Sequence, residues 1–295
     1  MKKYIFLLFA ILFSCRQNPK PLNYKPDTLV DDIGVSIKLN KIPEKVITLA
    51  PNLTEMIYEL NEGNTLIGNT KYCNYPKEAK SVEKVGDMLS VDYEKIVSLK
   101  PDLIFMTVVG NSKQSYEKLK ALGEKVFVSN PTNYAGIKKT FLDMGKIFHK
   151  EKLALQKIAK WDSVINKINN KTKNQKHPKA MFLVAIKPIM LVGKNSFIND
   201  ILTIAGLQNI ASDTKVNYPV FSREEVLKRN PEYIILFKSN SNSINLKSVY
   251  PEWKNINAIK KDHVIFVDAD LFARPGPRYY LAVEFLYNKI HRQHK

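Results

Sequence analysis

The chain of 295 residues is strongly basic, with a formal net charge of +18, 44% hydrophobic residues and two cysteines. This length is enough for two α/β lobes of ordinary size. The lysines are scattered and form no basic run interleaved with aromatic residues, which argues against nucleic-acid binding and for a solvated basic surface favouring anionic lipid or an anionic ligand.

The first fourteen residues have the pattern of an export signal. Lys2 and Lys3 precede an apolar run, Tyr4 to Phe13, that is too short to span a bilayer. The run ends in Leu12-Phe13-Ser14-Cys15, which resembles a bacterial lipobox. We therefore predict that residues 1–14 are removed as a lipoprotein signal peptide and that Cys15 is acylated. The alternative is an ordinary signal peptide with an incidental cysteine.

Residues 15–40 are predicted to form a lipidated tether and a lead-in to the fold, because residues 16–30 are polar and rich in proline. The protein is then exported and held by lipid on a bacterial membrane, facing the periplasm or the cell exterior. With Cys15 acylated, Cys73 has no partner for an intramolecular disulfide. Cys73 is then a small buried hydrophobe or a free thiol.

From Lys45 onward, short β-rich apolar runs alternate with amphipathic stretches, which is typical of an α/β fold. We predict an N-terminal lobe over residues 41–148 and a C-terminal lobe over residues 178–295. The predicted strands are Val46–Ala50, Leu103–Thr107, Lys125–Ser129, Ala180–Ala185, Tyr233–Phe237 and Val264–Asp268. The predicted helices include Thr54–Leu60, Ser112–Leu122, Tyr134–Phe148 and Phe197–Ala205.

An internal repeat relates the two lobes. A helical segment at residues 93–97 leads to Pro101, and a similar segment at residues 223–227 leads to Pro231, at a constant offset of 130 residues. Each copy is preceded by Asn-Tyr-Pro, at residues 74–76 and again at residues 217–219. The repeat predicts two lobes of the same construction.

The segment between the lobes has the pattern of one helix. Residues 151–175 contain no glycine or proline, and Ile158, Trp161, Ile165 and Ile168 step by three and four residues along one helical face. We predict a linking helix within residues 149–177. The predicted fold class is therefore α/β, with two Rossmann-like lobes joined by one long rigid helix and a ligand cleft between the lobes.

Four motifs follow one another along the chain. They are Val-Ile-Thr-Leu-Ala-Pro-Asn-Leu-Thr-Glu at residues 46–55, Tyr-Cys-Asn-Tyr-Pro at 72–76, Leu-Lys-Pro-Asp-Leu-Ile at 99–104, and Arg-Pro-Gly-Pro-Arg at 274–278. In this order they resemble the class III, helical-backbone substrate-binding proteins of ABC importers. The resemblance extends from about residue 44 to residue 292, and is greatest to the cobalamin-binding members of the family.

The resemblance implies that a ligand binds between the lobes, on loops that follow the strands. Tyr72 matches an aromatic residue that lies against the corrin ring, and Tyr218 matches a second aromatic residue. The full set of implied ligand contacts is Asn52, Tyr72, Met88, Tyr218, Asp270, Phe272 and Arg274. Structural alternatives stay open, because Tyr75 and Tyr218 also suit loop packing, Phe272 suits the core and Arg274 suits a solvated surface.

The sequence departs from the cobalamin-binding pattern at two positions. Met88 and Thr107 stand where that pattern has tryptophan, and the two tryptophans of this chain, Trp161 and Trp253, lie elsewhere. A large flat ligand gains affinity from aromatic area, although a methionine also packs on a ring. We expect a vitamin B12-like corrinoid as the bound ligand, with haem or an iron-siderophore chelate as alternatives, and no intrinsic cofactor.

An enzyme would need motifs that this chain lacks. The sequence contains no His-x-x-x-His, Cys-x-x-Cys or Gly-x-Ser-x-Gly motif and no Gly-rich phosphate loop. Its five histidines are too few and too scattered for a cleft that takes free zinc or manganese. We predict a monomeric binding protein rather than an enzyme. An exported enzyme and a structural surface lipoprotein are the alternatives.

Glu94 and Glu224 are equivalent under the 130-residue offset. Asp92 is placed to cap the first of the two helices, and Ser222 with Glu225 forms a Ser-x-x-Glu capping box at the second. In the family, matching glutamates meet arginines of the two transporter halves. The resemblance therefore implies that Glu94 and Glu224 dock on the permease dimer, which works with its ATPase. The alternative is that both only complement the helix dipoles.

Overall fold

The computed structural model describes residues 28–238 and 245–291. Cys15, the predicted signal residues 1–14 and the first half of the predicted tether lie outside these ranges. Within the described residues, no helix is long and apolar enough to cross a bilayer. The chain folds into two α/β lobes joined by one long helix, which confirms the fold class predicted from the sequence.

The described chain begins with an antiparallel hairpin of β1 (Thr28–Val30) and β2 (Ser36–Lys38). Asp31 and Asp32, in the turn, accept hydrogen bonds from the backbone nitrogens of Val128 and Asn130 at 3.2 and 2.6 Å. The backbone nitrogen of Asp32 donates in turn to the Val128 carbonyl at 3.0 Å. The hairpin therefore occupies hydrogen-bonding groups at the edge of the first lobe.

The N-terminal lobe is built on a parallel sheet with the strand order β4-β3-β5-β6. Its strands are β3 (Val46–Thr48), β4 (Leu66–Asn69), β5 (Leu103–Thr107) and β6 (Val126–Ser129). Its helices are α1 (Pro51–Glu59), α2 (Tyr93–Leu99), α3 (Lys113–Ala121) and α4 (Tyr134–Ile147), with 3₁₀ turns at Gly63–Thr65 and Lys77–Lys80. Every residue of β5 and β6 is buried, which explains their continuous apolar sequence.

The C-terminal lobe repeats this layout on a sheet ordered β11-β10-β7-β8, with β9 beside β7. Its strands are β7 (Lys179–Ala185), β8 (Met190–Leu191), β9 (Gln208–Asn209), β10 (Tyr233–Phe237) and β11 (Val264–Val267). β8 runs antiparallel to β7, and the other pairs are parallel. The helices are α6 (Phe197–Ile204), α7 (Arg223–Arg229), α8 (Leu246–Val249), α9 (Asn257–Lys260), α10 (Ala269–Phe272) and α11 (Tyr279–His291), with a 3₁₀ turn at Pro251–Asn255.

One helix, α5 (Glu151–Thr172), joins the lobes over 22 residues. Trp161, Ile165 and Ile168 are buried on the predicted face, and Trp161 packs on Phe141 of α4 with ring centroids 4.7 Å apart. Residues of both lobes and of α5 belong to one continuous hydrophobic core. The long helix is therefore packed along its length rather than exposed as a free connector.

The 130-residue repeat is present in the structure. Strands β5 and β10 begin at Leu103 and Tyr233, and each follows a seven-residue helix that ends in a left-handed residue, Lys100 at φ 51° or Asn230 at φ 46°. In each lobe the acidic residue before the strand also accepts a backbone N–H from the segment beside it. The two lobes therefore share the conformation of the turn before this strand as well as the order of helix and strand.

Candidate functional site

A cavity of about 250 Å³ opens between the two lobes, where loops leave the carboxyl ends of β3, β5 and β11. The N-terminal lobe contributes Pro51, Asn52, Tyr72, Met88, Thr107, Val109 and Gly110. The C-terminal lobe contributes Ala269, Asp270, Ala273, Arg274 and Pro275. We call this space the interlobe cavity.

A second cavity, of about 400 Å³, lies within the N-terminal lobe. It shares Thr107 with the interlobe cavity and is otherwise lined by the hairpin, β5, β6 and the start of α3, including Ile33, Tyr116 and Val128. No residue of the C-terminal lobe lines it, and none of the seven implied ligand contacts does. The interlobe cavity is therefore the candidate site, although it is the smaller of the two.

Five of the seven ligand contacts implied by the resemblance line the interlobe cavity: Asn52, Tyr72, Met88, Asp270 and Arg274. These residues are up to 222 positions apart in the sequence (274 − 52), so only the fold brings them together. Thr107, the second position of departure from the cobalamin-binding pattern, lines the cavity as well. Tyr218 and Phe272 do not line it.

Phe272 lies in the hydrophobic core and does not line the interlobe cavity, which agrees with the core alternative. Its side chain is 0% exposed, and its ring lies 6.3 Å from Phe182 and 5.9 Å from Phe285, centroid to centroid. Asp270 and Phe272 are two residues apart on the short helix α10, and such residues point to different sides of a helix. Asp270 therefore reaches the cavity while Phe272 enters the core.

Tyr218 is partly buried and packs against the main hydrophobic core, beside a loop whose neighbouring Val216 and Val220 are exposed. This arrangement agrees with the loop-packing alternative for the tyrosine. A contact between Tyr218 and a ligand stays a prediction.

Tyr72 and Tyr75 differ in their position relative to the interlobe cavity. Both side chains are about half exposed, at 51% and 47%. The guanidinium of Arg278 lies 4.0 Å from the ring centroid of Tyr75, so one face of this ring is engaged within the protein. Tyr72 lines the cavity, and Lys71 Nζ lies 5.2 Å from its ring centroid, so a cation lies over this ring too.

A tight turn presents Met88 to the cavity. Gly86, at φ +101°, starts the turn in a conformation that favours glycine. The Asp87 carboxylate accepts the backbone N–H groups of Leu89 and Ser90 at 2.9 and 2.7 Å. A hydrogen bond from Lys71, followed by these two amides, lowers the pKa of Asp87 to about 2. The turn therefore keeps its carboxylate charged at neutral pH and holds its shape.

Met88 and Gly110 share space on the cavity wall. A Cβ at Gly110 would lie 1.8 Å from the Met88 methyl carbon, so the thioether lies directly across the glycine. A methionine at this position fills the wall with a flexible side chain, in place of the rigid indole that the resemblance pattern has there.

Asn52 holds the first helix against the C-terminal lobe. It is 3% exposed, and its Nδ2 donates to the Pro275 carbonyl at 3.2 Å. A Cβ at Gly276 would lie 3.3 Å from the Asn52 Cβ, so glycine permits the close approach of this segment to α1. Asn52 therefore contributes to the contact between the lobes as well as to the cavity wall.

Arg274 is held almost completely by the protein itself. A guanidinium has five N–H donors. Nη1 donates to Glu55 Oε1 at 3.0 Å and to Asn74 Oδ1 at 2.9 Å. Nη2 donates to the Tyr72 carbonyl at 3.2 Å and to the Asp270 carboxylate. Only the Nε–H of Arg274 remains for a ligand.

The cavity wall is close to electrically neutral. Its two charged side chains, Asp270 and Arg274, form an ion pair with each other. Beneath them, Glu55 is 1% exposed and pairs with both Arg274 and Arg278. Burial lowers the pKa of Arg278, but the hydrogen bond and charge of Glu55 outweigh this and raise it above its ordinary value. The group therefore pairs two arginines with two acids.

A family model described as periplasmic binding protein matches residues 46–271. The chain belongs to the periplasmic binding protein family. It is 32% identical over 275 residues to the uncharacterized ABC transporter substrate-binding lipoprotein YvrC of Bacillus subtilis, covering 90% of this chain and 86% of the relative. It is 28% identical over 236 residues to the vitamin B12-binding protein of Vibrio campbellii, covering 80% of this chain and 85% of the relative.

The fold of this periplasmic binding protein matches solved structures. The apo form of the periplasmic heme-binding protein RhuT from Roseiflexus superposes with a TM-score of 0.76, covering 85% of this chain and 99% of that one. The sequences are only 18% identical, so this likeness shows the shared fold alone.

Sequence reasoning missed three residues that shape the cleft of this binding protein: Glu55, Asn74 and Arg278. Each lies inside a motif that carries the resemblance, Glu55 as the last residue of the first motif and Arg278 as the last of Arg-Pro-Gly-Pro-Arg. The signal in the sequence was an acid, Glu55, in a motif of one lobe and two arginines, Arg274 and Arg278, in a motif of the other. Their pairing could not be predicted because no spacing rule relates residues 196 to 223 positions apart.

Glu94 and Glu224, the docking residues implied by the resemblance, are both exposed, and neither lines the cavity. Asp92 and Ser222 cap the two helices as predicted. The return bond of the capping box is absent, because the Glu225 carboxylate pairs with Arg229 at 2.6 Å. At Glu224, hydrogen bonds from the residue's own backbone amide and then from the Ser222 hydroxyl lower the pKa of the carboxyl group. This carboxylate is therefore charged at neutral pH.

Among residues 28–238 and 245–291, no group of three or more His, Cys, Asp or Glu side chains is placed to hold a metal ion. Cys73 is buried, and its sulfur accepts a hydrogen bond from Thr54 Oγ1 at 3.0 Å. Its thiol therefore belongs to the packing beneath the cavity.

Proposed function

We propose that this protein is the substrate-binding component of an ABC importer and that it captures a corrinoid. The observation that carries the proposal is the convergence of Asn52, Tyr72, Met88, Asp270 and Arg274 on one cavity between the lobes. The relatives named as a substrate-binding lipoprotein and as a vitamin B12-binding protein support the same function.

The charge of the cavity favours a corrinoid over haem. Haem carries two carboxylates, and many siderophores are anionic, so their sites need cations with free donors. Arg274 is the cation of this cavity wall, and four of its donors are already bound. The rim of a corrin ring carries neutral amides, which suit the remaining Nε–H of Arg274 and the carboxylate of Asp270. Haem and an iron-siderophore chelate remain the alternative ligands.

The size and rim of the cavity favour a ligand that extends beyond it. A volume of about 250 Å³ is below the usual range for an enclosed small-molecule site. Apolar side chains stand exposed around the opening: Tyr72 at 51%, Leu89 at 80% and Val109 at 57%. Exposed apolar groups beside a cleft are typical of a binding surface. A large flat macrocycle would cover this rim while one edge enters the cavity.

Absorption spectroscopy tests the ligand. We expect purified protein to retain cyanocobalamin through gel filtration at a stoichiometry near one, and to bind haemin more weakly. Retention of haemin with an iron-ligand spectrum, and none of cyanocobalamin, would transfer the proposal to haem. Binding of neither would restrict the proposal to a ligand of another class.

The protein is proposed to act on the outer face of a membrane. Export, acylation of Cys15 and attachment to a bacterial membrane follow from the lipobox pattern, and the relative named as a lipoprotein supports them. Glu94 and Glu224 are the proposed contacts with a permease dimer and its ATPase. We propose a monomer with no nucleic-acid partner.

We propose a binding protein rather than an enzyme. The polar side chains of the cavity, such as Asn52, Asp270 and Arg274, are committed to hydrogen bonds across the cleft. The cavity lining contains no histidine, cysteine or serine, and hence no nucleophile–base pair of the usual kinds.

A further inference from the structure

We infer that Glu55 and Arg278, neither of which lines the cavity, form with Arg274 a clasp that fixes the separation of the lobes. Through that separation they determine ligand affinity. The second part of this inference rests on the proposed binding function. The first part concerns the lobes alone and is tested without a ligand.

The centre of the clasp is a buried carboxylate. Glu55 lies on α1 of the N-terminal lobe, with its side chain 1% exposed. Its Oε2 accepts Arg278 Nε at 2.8 Å, and its Oε1 accepts Arg278 Nη2 at 2.6 Å, which makes a bidentate pair. Oε1 also accepts Arg274 Nη1 at 3.0 Å. Both arginines belong to the C-terminal lobe, so all three bonds cross between lobes.

Further bonds cross at the same place. Asn74 of the N-terminal lobe donates from Nδ2 to Asp270 Oδ2 at 2.6 Å and accepts Arg274 Nη1 at 2.9 Å. The Arg274 side chain is 10% exposed and the Arg278 side chain is 18% exposed, so water screens their bonds to Glu55 little. The clasp is therefore a connected network, and its members hold one another in place.

Opening the lobes at this seam would leave Glu55 without its partners. Separation breaks all three charge-assisted bonds of Glu55 together, and water must take their place. The helix α5 joins the lobes through the chain, and the clasp joins them again through side chains of α1 and residues 274–278. The clasp adds to other interlobe contacts, such as Asn52 with Pro275 and Tyr134 with Asp200, and is the one built on a buried charge.

The clasp links lobe separation to affinity. Asp270 and Arg274 are held at the cavity by the same network that sets the separation. A ligand binds only the fraction of molecules in the competent arrangement, and the apparent affinity falls in proportion to that fraction. If loss of the clasp leaves about one molecule in ten in that arrangement, affinity falls about tenfold.

The experiment measures lobe separation directly. Two exposed lysines, one on each lobe, are replaced by cysteine for spin labelling: Lys120→Cys in α3 and Lys228→Cys in α7. The full chain also carries Cys15→Ala. The remaining native thiol, Cys73, is 1% exposed and will not react. The distance distribution is recorded by double electron–electron resonance for the parent and for Glu55→Gln and Arg278→Lys. Lysine keeps the charge but cannot form the bidentate pair.

The matched control is Asp213→Asn, which removes a carboxylate paired with Arg229 inside the C-terminal lobe. We expect broader distances for Glu55→Gln and Arg278→Lys, with about tenfold weaker cyanocobalamin binding, and no change for Asp213→Asn. An unchanged, narrow distribution in a folded Arg278→Lys protein would overturn the clasp, even if Glu55→Gln fails to fold. Broader distances with unchanged affinity would overturn its link to binding. If the parent binds no cyanocobalamin, the proposed ligand is wrong and the distances still decide the clasp.

Discussion

Glu94 and Glu224 are each the second residue of a seven-residue helix, 130 positions apart in the sequence, and both side chains are exposed. Each helix is capped by the residue two positions earlier, Asp92 or Ser222. Two acids in equivalent places on two lobes suit a partner built from two equivalent subunits.

The first prediction concerns docking by these glutamates. Reversing both charges, Glu94→Lys with Glu224→Lys, should abolish transport and the complex with the permease, because opposite charges steer and stabilise such contacts. The parent complex should also weaken as salt is raised. Pull-down with the permease and an uptake assay measure both effects. Ligand affinity and melting temperature should stay close to the parent values, and normal docking by the double variant would contradict the proposal.

The second prediction concerns the aromatic wall of the cavity. Tyr72→Ala should weaken cyanocobalamin binding about ten- to a hundredfold, because loss of one well-packed aromatic contact costs on the order of 1–3 kcal/mol. Tyr72→Phe keeps the ring and should bind nearly as the parent does. Since Tyr218 does not line the cavity, Tyr218→Ala should have the smaller effect. Calorimetric titration measures all three, and a larger loss for Tyr218→Ala would mean that the ligand reaches further into the C-terminal lobe.

The third prediction concerns the membrane anchor. Cys15→Ala should move the protein from the membrane fraction to the soluble fraction and abolish incorporation of labelled fatty acid, because the acylated residue is absent. Fractionation of cells expressing each protein, with palmitate labelling, makes the measurement. Cys73→Ala is the control and should stay lipidated. A Cys15→Ala protein that remains on membranes and carries label would refute the lipobox interpretation.

The fourth prediction concerns pH and the buried carboxyl of Asp200. Burial raises its pKa, although the hydrogen bond from the Tyr134 backbone nitrogen at 3.2 Å acts in the opposite direction. A raised pKa means that the folded state binds the proton more tightly than the unfolded state does. Asp200 therefore favours folding at low pH, and this contribution is lost as pH rises from about 4, the unfolded pKa, through the raised value.

Asp200→Asn should consequently raise the melting temperature by a few degrees at pH 7 and change it little at pH 4. Circular dichroism melting curves at the two values test this. Asp213→Asn should behave in the opposite way, because a hydrogen bond from Arg229 lowers the pKa of Asp213. Its carboxylate stabilises the fold above the unfolded pKa, and that contribution is lost as pH falls. An equal shift for Asp200→Asn at both pH values would contradict the assignment.

Much of the fold followed from local pattern. The buried face of α5 and the strands β5 and β10 could be predicted from the sequence, because burial on one or both sides imposes a regular apolar pattern. Boundaries differed by a residue or more where a turn decides them. Helix α1 begins at Pro51 rather than at the predicted Thr54, because a proline suits the first helical position.

The candidate site was less predictable. The sequence contained Asp270, Phe272 and Arg274 as one loop, but only the short helix α10 separates the exposed acid from the buried ring. From the sequence alone, all five N–H donors of Arg274 could serve a ligand. In the structure four of them are taken, mainly by partners from the other lobe. Long-range pairing of this kind depends on tertiary packing, which periodicity and spacing do not describe.

The hairpin at the start of the described chain limits association between sheets of neighbouring molecules. Asp31 and Asp32 take up the backbone nitrogens of Val128 and Asn130, which an unpaired edge strand would present to a neighbouring molecule. Exposed strand edges are templates for aggregation. Proteins confined to a surface meet their own copies far more often than proteins free in solution. If the proposed lipid anchor holds the protein on a membrane, the hairpin at the β6 edge lets many copies stand side by side without joining their sheets.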